Sequence, residues 1–146
     1  MSVRITPATY QQITTHAEAG YPNEICGILL GSDSEGGRTI SGALAIENSF
    51  AADEQYHRFL ITPQDMFRAE RLARQQQLDV VGVYHSHPDD EARPSTYDRD
   101  HAAWTEWSYV IISVEAGHAT STRAWKLRDE RDAFDEEALA VTQRQL

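Results

Sequence analysis

Apolar residues in this 146-residue chain cluster in short runs that predict buried strands. Residues 25–30, 80–84 and 109–114 are almost continuously apolar, which is typical of strands covered on both faces of a sheet. A turn-rich stretch at 31–37 predicts a hairpin into a strand over 39–46. Shorter strands are predicted at 3–5, 59–61 and 120–127. We therefore expect a sheet built from strands distributed along the whole chain.

Helices are predicted between these strands by their start signals. Thr6-Pro7 and Thr62-Pro63 each offer an N-cap hydroxyl followed by proline at the first helical position, so helices should run over 7–19 and 63–77. A third helix is predicted over 95–104, and the charge-dense tail predicts a loop, then a short strand or helix over 134–141. The alternation indicates an α/β fold, and the length indicates one domain over 1–146.

Composition excludes several classes of function. The net charge of −10 disfavours nucleic-acid binding, which needs an excess of basic residues. No apolar run approaches the roughly 18 residues that span a bilayer, and the N-terminal residues do not resemble a secretory signal, so we expect a cytoplasmic location and no membrane partner. Of the 13 basic residues only Lys126 is lysine, and such an acidic, lysine-poor surface suggests adaptation to high salt.

One group of residues carries metal-binding chemistry. His85 and His87 follow the strand at 80–84, and residues two apart in a strand point to one face. Pro88 ends the strand, and Ser95 and Asp98 lie three apart on the next helix, so they can face the same site. Two imidazoles and a carboxylate supply three ligands and leave one position open, which is typical of catalytic zinc. The single cysteine, Cys26, excludes a Cys-x-x-Cys zinc site.

Glu24 and Ser95 are the candidate catalytic residues beside this metal. Glu24 precedes the strand at 25–30 and could take a proton from a zinc-activated water and pass it to the leaving amine, a contribution of roughly 10²–10⁴-fold. Ser95 could donate a hydrogen bond to the developing oxyanion, worth about 3 kcal/mol. Structural alternatives remain open: Ser95 and Asp98 also fit a helix capping box, and a glutamate beside an apolar strand is more often a solvated edge residue.

Other chemically conspicuous side chains have structural interpretations. Cys26 lies in an apolar strand, and a buried cysteine is usually inert, so we expect it to serve packing. His101 could brace the site, although an exposed helix face is the stronger expectation. Trp104 and Trp107 could line a groove, but their position between a helix and a strand favours the core.

These residues resemble the pattern of the JAMM (MPN+) zinc metalloproteases, a glutamate before an apolar strand and then H-x-H-P-x6-S-x2-D. The chain matches it at Glu24, His85, His87, Pro88, Ser95 and Asp98. The resemblance implies a cytidine-deaminase-like α/β fold, with a mixed sheet flanked by helices. It also implies zinc (Zn²⁺) held by His85, His87 and Asp98, with Glu24 as general base and Ser95 as oxyanion stabiliser.

The resemblance also implies a substrate class. JAMM enzymes are peptidases or isopeptidases that cut the amide bond after the C-terminal tail of ubiquitin or a ubiquitin-like protein. This short chain resembles the prokaryotic members, for which the expected partner is a ubiquitin-like or sulfur-carrier protein. Cytidine deaminases share the fold but need a Pro-Cys-x-x-Cys motif, which is absent here. The alternative is a non-catalytic MPN scaffold that binds partner proteins.

Overall fold

The computed structural model describes residues 2–48, 52–55, 58–102 and 104–142. Within these ranges eight strands form one sheet, accompanied by three α-helices and a short 3₁₀ turn at Ala52–Glu54. The strands are β1 Val3–Ile5, β2 Cys26–Ser34, β3 Gly37–Ile46, β4 Asp79–Pro88, β5 Ser108–Glu115, β6 His118–Leu127, β7 Phe134–Glu137 and β8 Leu139–Val141. The helices are α1 Pro7–Gly20, α2 Pro63–Gln75 and α3 Thr96–His101.

The sheet is mixed, in the order β7-β6-β5-β4-β2-β3-β1-β8. β1 pairs in parallel with β3 and β8, and β4 pairs in parallel with β5, whereas the other neighbours are antiparallel. β7 and β8 occupy opposite edges of the sheet although only Ala138 separates them along the chain. The sheet must therefore curl until its two edges meet at that point. The predicted mixed α/β architecture is confirmed.

Apolar side chains cover both faces of the central strands. One cluster, which includes Ile13 and Ala17 of α1, packs on one face, and a second cluster, which includes Ala69 and Ala73 of α2, packs on the other. Alternate residues of a strand point to opposite faces, so a strand buried on both sides must be apolar at nearly every position. This explains the continuous runs in β2, β4 and β5. No helix in the described ranges is long and apolar enough to cross a membrane.

The helix starts follow the predicted capping chemistry. The Thr6 hydroxyl accepts a hydrogen bond from the Thr9 N–H, and Thr62 forms a reciprocal capping box with Asp65. The two helices begin at Pro7 and Pro63, as expected from the position of proline.

Several predicted boundaries are wrong. The turn expected over 31–37 is only the two residues between β2 and β3, and the strand expected over 59–61 is irregular chain. α3 ends at His101 rather than near Trp104. In the tail the strand alternative over 134–141 is confirmed, but the segment forms two strands, β7 and β8, on opposite edges of the sheet rather than one.

Candidate metal centre

The end of β4 brings two histidines together on one face of the sheet. His85 and His87 are both buried, and their Nε2 atoms lie 3.1 Å apart. They lie two and four residues after Val83, which packs in the α2-side core, so they project from the same face. β4 continues as far as Pro88, which keeps both histidines within regular strand geometry.

Asp98 reaches this pair from the first turn of α3. Its Oδ2 atom lies 3.3 Å from His85 Nε2 and 3.0 Å from His87 Nε2. The same oxygen accepts a hydrogen bond from the Ser95 N–H at 2.9 Å, while the Ser95 hydroxyl accepts one from the Asp98 N–H at 3.0 Å. The capping box that begins α3 therefore also fixes the orientation of the carboxylate.

Three donor atoms of the kinds that bind transition metals thus meet at one point. His85, His87 and Asp98 form a group that could hold a metal ion. Bonds of about 2.0–2.2 Å to a tetrahedral zinc would place neighbouring ligand atoms roughly 3.3–3.5 Å apart. The observed separations of 3.0, 3.1 and 3.3 Å come within a few tenths of an ångström of that spacing. The donor set therefore fits a metal with an open fourth position.

Hydrogen bonding prepares His87 and Asp98 as ligands. His87 Nδ1 lies 2.7 Å from the Glu91 carbonyl oxygen, which can only accept, so Nδ1 carries the proton and donates. The lone pair of Nε2 is then directed at the cluster. Burial alone would raise the pKa of the Asp98 carboxyl, but the two histidines and the Ser95 N–H hold it well below its ordinary value. Asp98 is therefore ionised at neutral pH.

His85 is positioned by packing rather than by a second hydrogen bond. Its ring stacks on Phe59 with centroids 4.5 Å apart, and its buried Nδ1 has no hydrogen-bond partner among the described residues. The irregular segment that replaces the strand predicted over 59–61 thus contacts a candidate ligand directly.

Glu24 lies beside this group and is buried, with 6% of its surface exposed. The alternative of a solvated edge residue is therefore wrong. Its Oε1 atom has no hydrogen-bond partner among the described residues. Burial raises the pKa of the Glu24 carboxyl to about 7, although His85 and His87 oppose this shift electrostatically. Such a carboxyl can exchange a proton near neutral pH.

Ser86 is a structural link between Glu24 and the histidines that the sequence did not reveal. Its hydroxyl oxygen accepts the Ile25 N–H at 2.9 Å, and its own N–H donates to the Ile25 carbonyl at 3.1 Å. Because Ile25 follows Glu24, these two bonds set the position of Glu24 relative to the strand that carries both histidines. One signal in the sequence could have indicated this role. Ser86 lies between two histidines that share a face of the strand, so its side chain must point to the opposite face.

The remaining candidates divide between core and surface. Cys26 is fully buried, and burial raises the pKa of its thiol to about 12, which agrees with a packing role. The prediction that Trp104 lies in the core is wrong, because 52% of its surface is exposed. Its ring stacks on partly buried Trp107 at 5.0 Å. His101 is exposed and stacks on Tyr97.

The fold and the three-donor group together define an α/β protein of the JAB/MPN class. The chain belongs to the family described as prokaryotic homologs of the JAB domain, whose family model matches residues 6–128. The predicted JAMM resemblance is therefore confirmed at the level of the family.

Two relatives of known activity match most of this chain. A desampylase from Haloferax volcanii is 34% identical over 107 residues, which are 70% of this chain and 74% of the relative. A CysO-cysteine peptidase from Mycobacterium tuberculosis is 26% identical over 131 residues, 90% of this chain and 85% of the relative. The names of these relatives indicate peptidase-type hydrolysis as the activity found among proteins similar to this chain.

Solved structures agree on the fold. A solution structure of a Desulfitobacterium hafniense protein superposes with a TM-score of 0.83 at 26% identity, covering 97% of this chain and 94% of that one. A JAB1/MPN domain protein from Archaeoglobus fulgidus gives a TM-score of 0.59 at 19% identity, covering 97% and 98% of the two chains. The second likeness concerns the fold alone.

Proposed function

We propose that this protein is a zinc-dependent metallopeptidase that hydrolyses an amide bond at the C-terminal tail of a ubiquitin-like or sulfur-carrier protein. His85, His87 and Asp98 hold the zinc in this proposal. The observation that carries it is the buried carboxyl of Glu24, which lies beside three converging metal donors and has one oxygen without a hydrogen-bond partner among the described residues.

Each residue has a defined part in the proposed reaction. Zinc bound to these donors supplies a Lewis acid, which lowers the pKa of water to about 7 and polarises a carbonyl. Glu24 takes the proton from the attacking water and returns it to the leaving amine, a role that suits a carboxyl whose pKa is about 7. Ser95 donates to the developing oxyanion. Its oxygen accepts a bond in the capping box, which leaves the hydroxyl proton available for donation.

The relatives support the substrate class. A desampylase and a CysO-cysteine peptidase both match this chain over at least 70% of its length. We propose that this protein likewise acts on a small protein modifier or carrier, rather than on unfolded proteins in general.

The test is hydrolysis of a ubiquitin-like carrier that bears a short C-terminal extension, followed by intact-protein mass spectrometry. The protein is stripped with EDTA, reloaded with one equivalent of Zn²⁺, and its metal content measured by plasma mass spectrometry. We expect cleavage only after reloading. Glu24→Gln should keep the zinc and lose cleavage by at least about 100-fold. His85→Ala should lose both.

Three results would each contradict part of the proposal. His85→Ala that still binds one zinc per chain would refute the ligand set. A wild-type protein that holds stoichiometric zinc yet leaves every extended carrier intact would instead favour the scaffold alternative. Retention of cleavage in Glu24→Gln would remove Glu24 from the mechanism while leaving the metal site intact.

A further inference from the structure

An apolar cavity opens beside the candidate metal centre. Its volume is about 280 Å³, and its wall includes both His85 and Asp98. The rest of the wall is mainly apolar and aromatic, with side chains from the segment before α2, from α2, β4, α3 and β5, and from the connection between α3 and β5. The most prominent of these are Phe59, Met66, Val83, Trp104, Trp107 and Tyr109.

The size and chemistry of the cavity limit what can occupy it. Pockets for drug-sized ligands measure about 300–1,000 Å³, so this cavity suits a single large side chain rather than a folded partner or a long peptide. No arginine or lysine lies in its wall within the described ranges, and apart from His85, Asp98 and His101 the wall carries no acidic or basic side chain. An apolar side chain gains most from such a lining, at roughly 25 cal/mol per Å² of apolar surface removed from water.

The position of the cavity ties its occupant to the scissile bond. Because His85 and Asp98 belong to both the cavity and the donor group, a side chain in the cavity lies alongside any amide that the metal centre holds. The stacking of Phe59 on His85 makes this wall continuous with the centre. Only residues that directly flank the scissile bond could reach both places at once.

The Tyr109 hydroxyl anchors the main chain of Trp104 at the outer rim of the cavity. The Trp104 N–H donates to the Tyr109 hydroxyl at 3.0 Å, and that hydroxyl donates to the Trp104 carbonyl at 2.9 Å. The Trp104 ring stacks on Trp107 and still leaves about half of its surface exposed, so it can contact a ligand while the main chain stays anchored. The exposed side chain of Leu60 also lies on the wall. Exposed apolar residues around a cavity are typical of binding sites.

We propose that this cavity is a specificity pocket that binds a large apolar side chain of the substrate residue adjacent to the scissile amide. The inference rests on the proposed function. It adds that the protein selects among carrier tails by the side chain beside the cleaved bond. A carrier tail with phenylalanine, leucine or tryptophan beside the cleaved bond is a better substrate than one with serine or aspartate at the same position.

The first experiment measures cleavage by the zinc-loaded protein. Carrier substrates differ in one residue, placed either before or after the scissile bond, and kcat/KM is measured for each. We expect phenylalanine to exceed serine by about 10- to 100-fold at one of the two positions. Trp104→Ala should reduce this ratio about 10-fold. Phe67→Ala, which removes an aromatic side chain that is 64% exposed on α2 but absent from the cavity wall, should leave it unchanged.

The second experiment needs no cleavage. The indole N–H signals of the zinc-loaded protein are followed by NMR during titration with N-acetyl-phenylalaninamide and, separately, N-acetyl-serinamide. The phenylalanine compound should shift the signals of Trp104 and Trp107 but not that of Trp125, and the serine compound should shift none. Trp104→Ala should weaken binding severalfold, whereas Phe67→Ala should not.

The outcomes separate this inference from the proposed function. Cleavage without an apolar preference, or with a preference that Trp104→Ala leaves intact, overturns the specificity pocket but not the peptidase. Absence of all cleavage, together with selective shifts at Trp104 and Trp107, overturns the peptidase and supports an apolar binding site. Absence of both cleavage and shifts overturns both.

Discussion

Burial of the Glu24 carboxyl is costly to the folded protein. Its Oε1 atom is buried and lacks a hydrogen-bond partner among the described residues. An unsatisfied buried polar group generally costs about 1–3 kcal/mol. Residues that destabilise the folded protein in this way are concentrated at functional sites, because activity requires them there.

Replacement of Glu24 by glutamine should stabilise the metal-free protein at alkaline pH. The pKa of about 7 in the folded protein lies above the ordinary value of 4.5, so the folded protein binds more protons than the unfolded chain between these values. Stability is therefore full below about pH 4.5 and falls as pH rises toward 7. Glutamine removes this loss, which amounts to at most about 3 kcal/mol at pH 8.

Urea denaturation of wild type and Glu24→Gln in EDTA, at pH 5 and pH 8, measures the difference. We expect the variant to be more stable at pH 8 by about 1–3 kcal/mol and nearly equal to wild type at pH 5. A variant that is less stable than wild type at pH 8 would show that Glu24 is well solvated or paired in the folded protein.

Ser86→Ala should harm both stability and catalysis. The substitution leaves the buried Ile25 N–H without its acceptor, which costs about 1–3 kcal/mol in the free energy of unfolding. It also loosens the attachment of Glu24 to the strand that carries the histidines, so kcat for carrier cleavage should fall while zinc content stays at one per chain. A change of less than about 0.5 kcal/mol with full activity would exclude this role.

The sequence predicts the residues of the candidate site, but not the contacts that bury and position them. The spacing of His85, His87 and Asp98 followed from the periods of a strand and a helix, and the structure brings all three together. The burial of Glu24 and the stacking of Phe59 on His85 depend on chain that arrives from distant positions. No local pattern carries that information.

At the scale of elements, one arginine connects several strands. Arg38 of β3 is buried, and its guanidinium donates to the Val81 carbonyl at 2.9 Å, to the Ser108 hydroxyl at 3.0 Å and to the Glu106 carbonyl at 2.8 Å. It also forms two hydrogen bonds with Asp33. β4 and β5 are thus tied to β3 near the first residues of both strands, independently of the ladder bonds.

Arg38→Lys should destabilise the protein by about 2–4 kcal/mol, because an ammonium cannot reproduce the five-donor fork and leaves buried acceptors unpaired. The matched control is Arg4→Lys on neighbouring β1, which is less buried and should change stability by less than about 0.5 kcal/mol. Urea melts of both variants measure the effect. Equal small changes in the two variants would mean that the ladder bonds alone hold these strands together.

Helices and strands could be predicted from the sequence where capping or burial leaves a local pattern. They could not be predicted where pairing with another strand determines them. The Thr-Pro starts of α1 and α2 and the apolar runs of β2, β4 and β5 were correct because capping and two-sided burial leave local signals. β2 and β3 extend through polar residues because pairing with each other continues beyond the apolar run. β7 and β8 form on opposite edges of a curled sheet, which short-range periodicity does not encode.

For the whole molecule, the net charge of −10 predicts that salt stabilises the folded state. Compact structure concentrates like charges, and molar salt reduces the screening length to about 3 Å. We expect the urea midpoint to rise between 0.1 M and 2 M KCl. No gain in stability over this range would contradict the inference of a salt-adapted surface.

A charge-reduced variant provides the control for the salt effect. Asp129, Glu130 and Asp132 are exposed in the turn between β6 and β7. Changing them together to Asn, Gln and Asn removes three negative charges without touching the core. The salt-dependent gain should shrink in this variant, whereas a general effect of salt on apolar burial would leave it unchanged.

The pairing of β1 with β8 has a consequence for how the chain folds. Val3 lies opposite Leu139, so one of the contacts that complete the sheet joins residues 136 positions apart. Contacts of such long range form slowly, because a large loop must close before they yield any stabilisation. During synthesis, the histidines, Asp98 and Glu24 leave the ribosome well before β8. The metal site can therefore gather its ligands on a sheet that is still open at one edge.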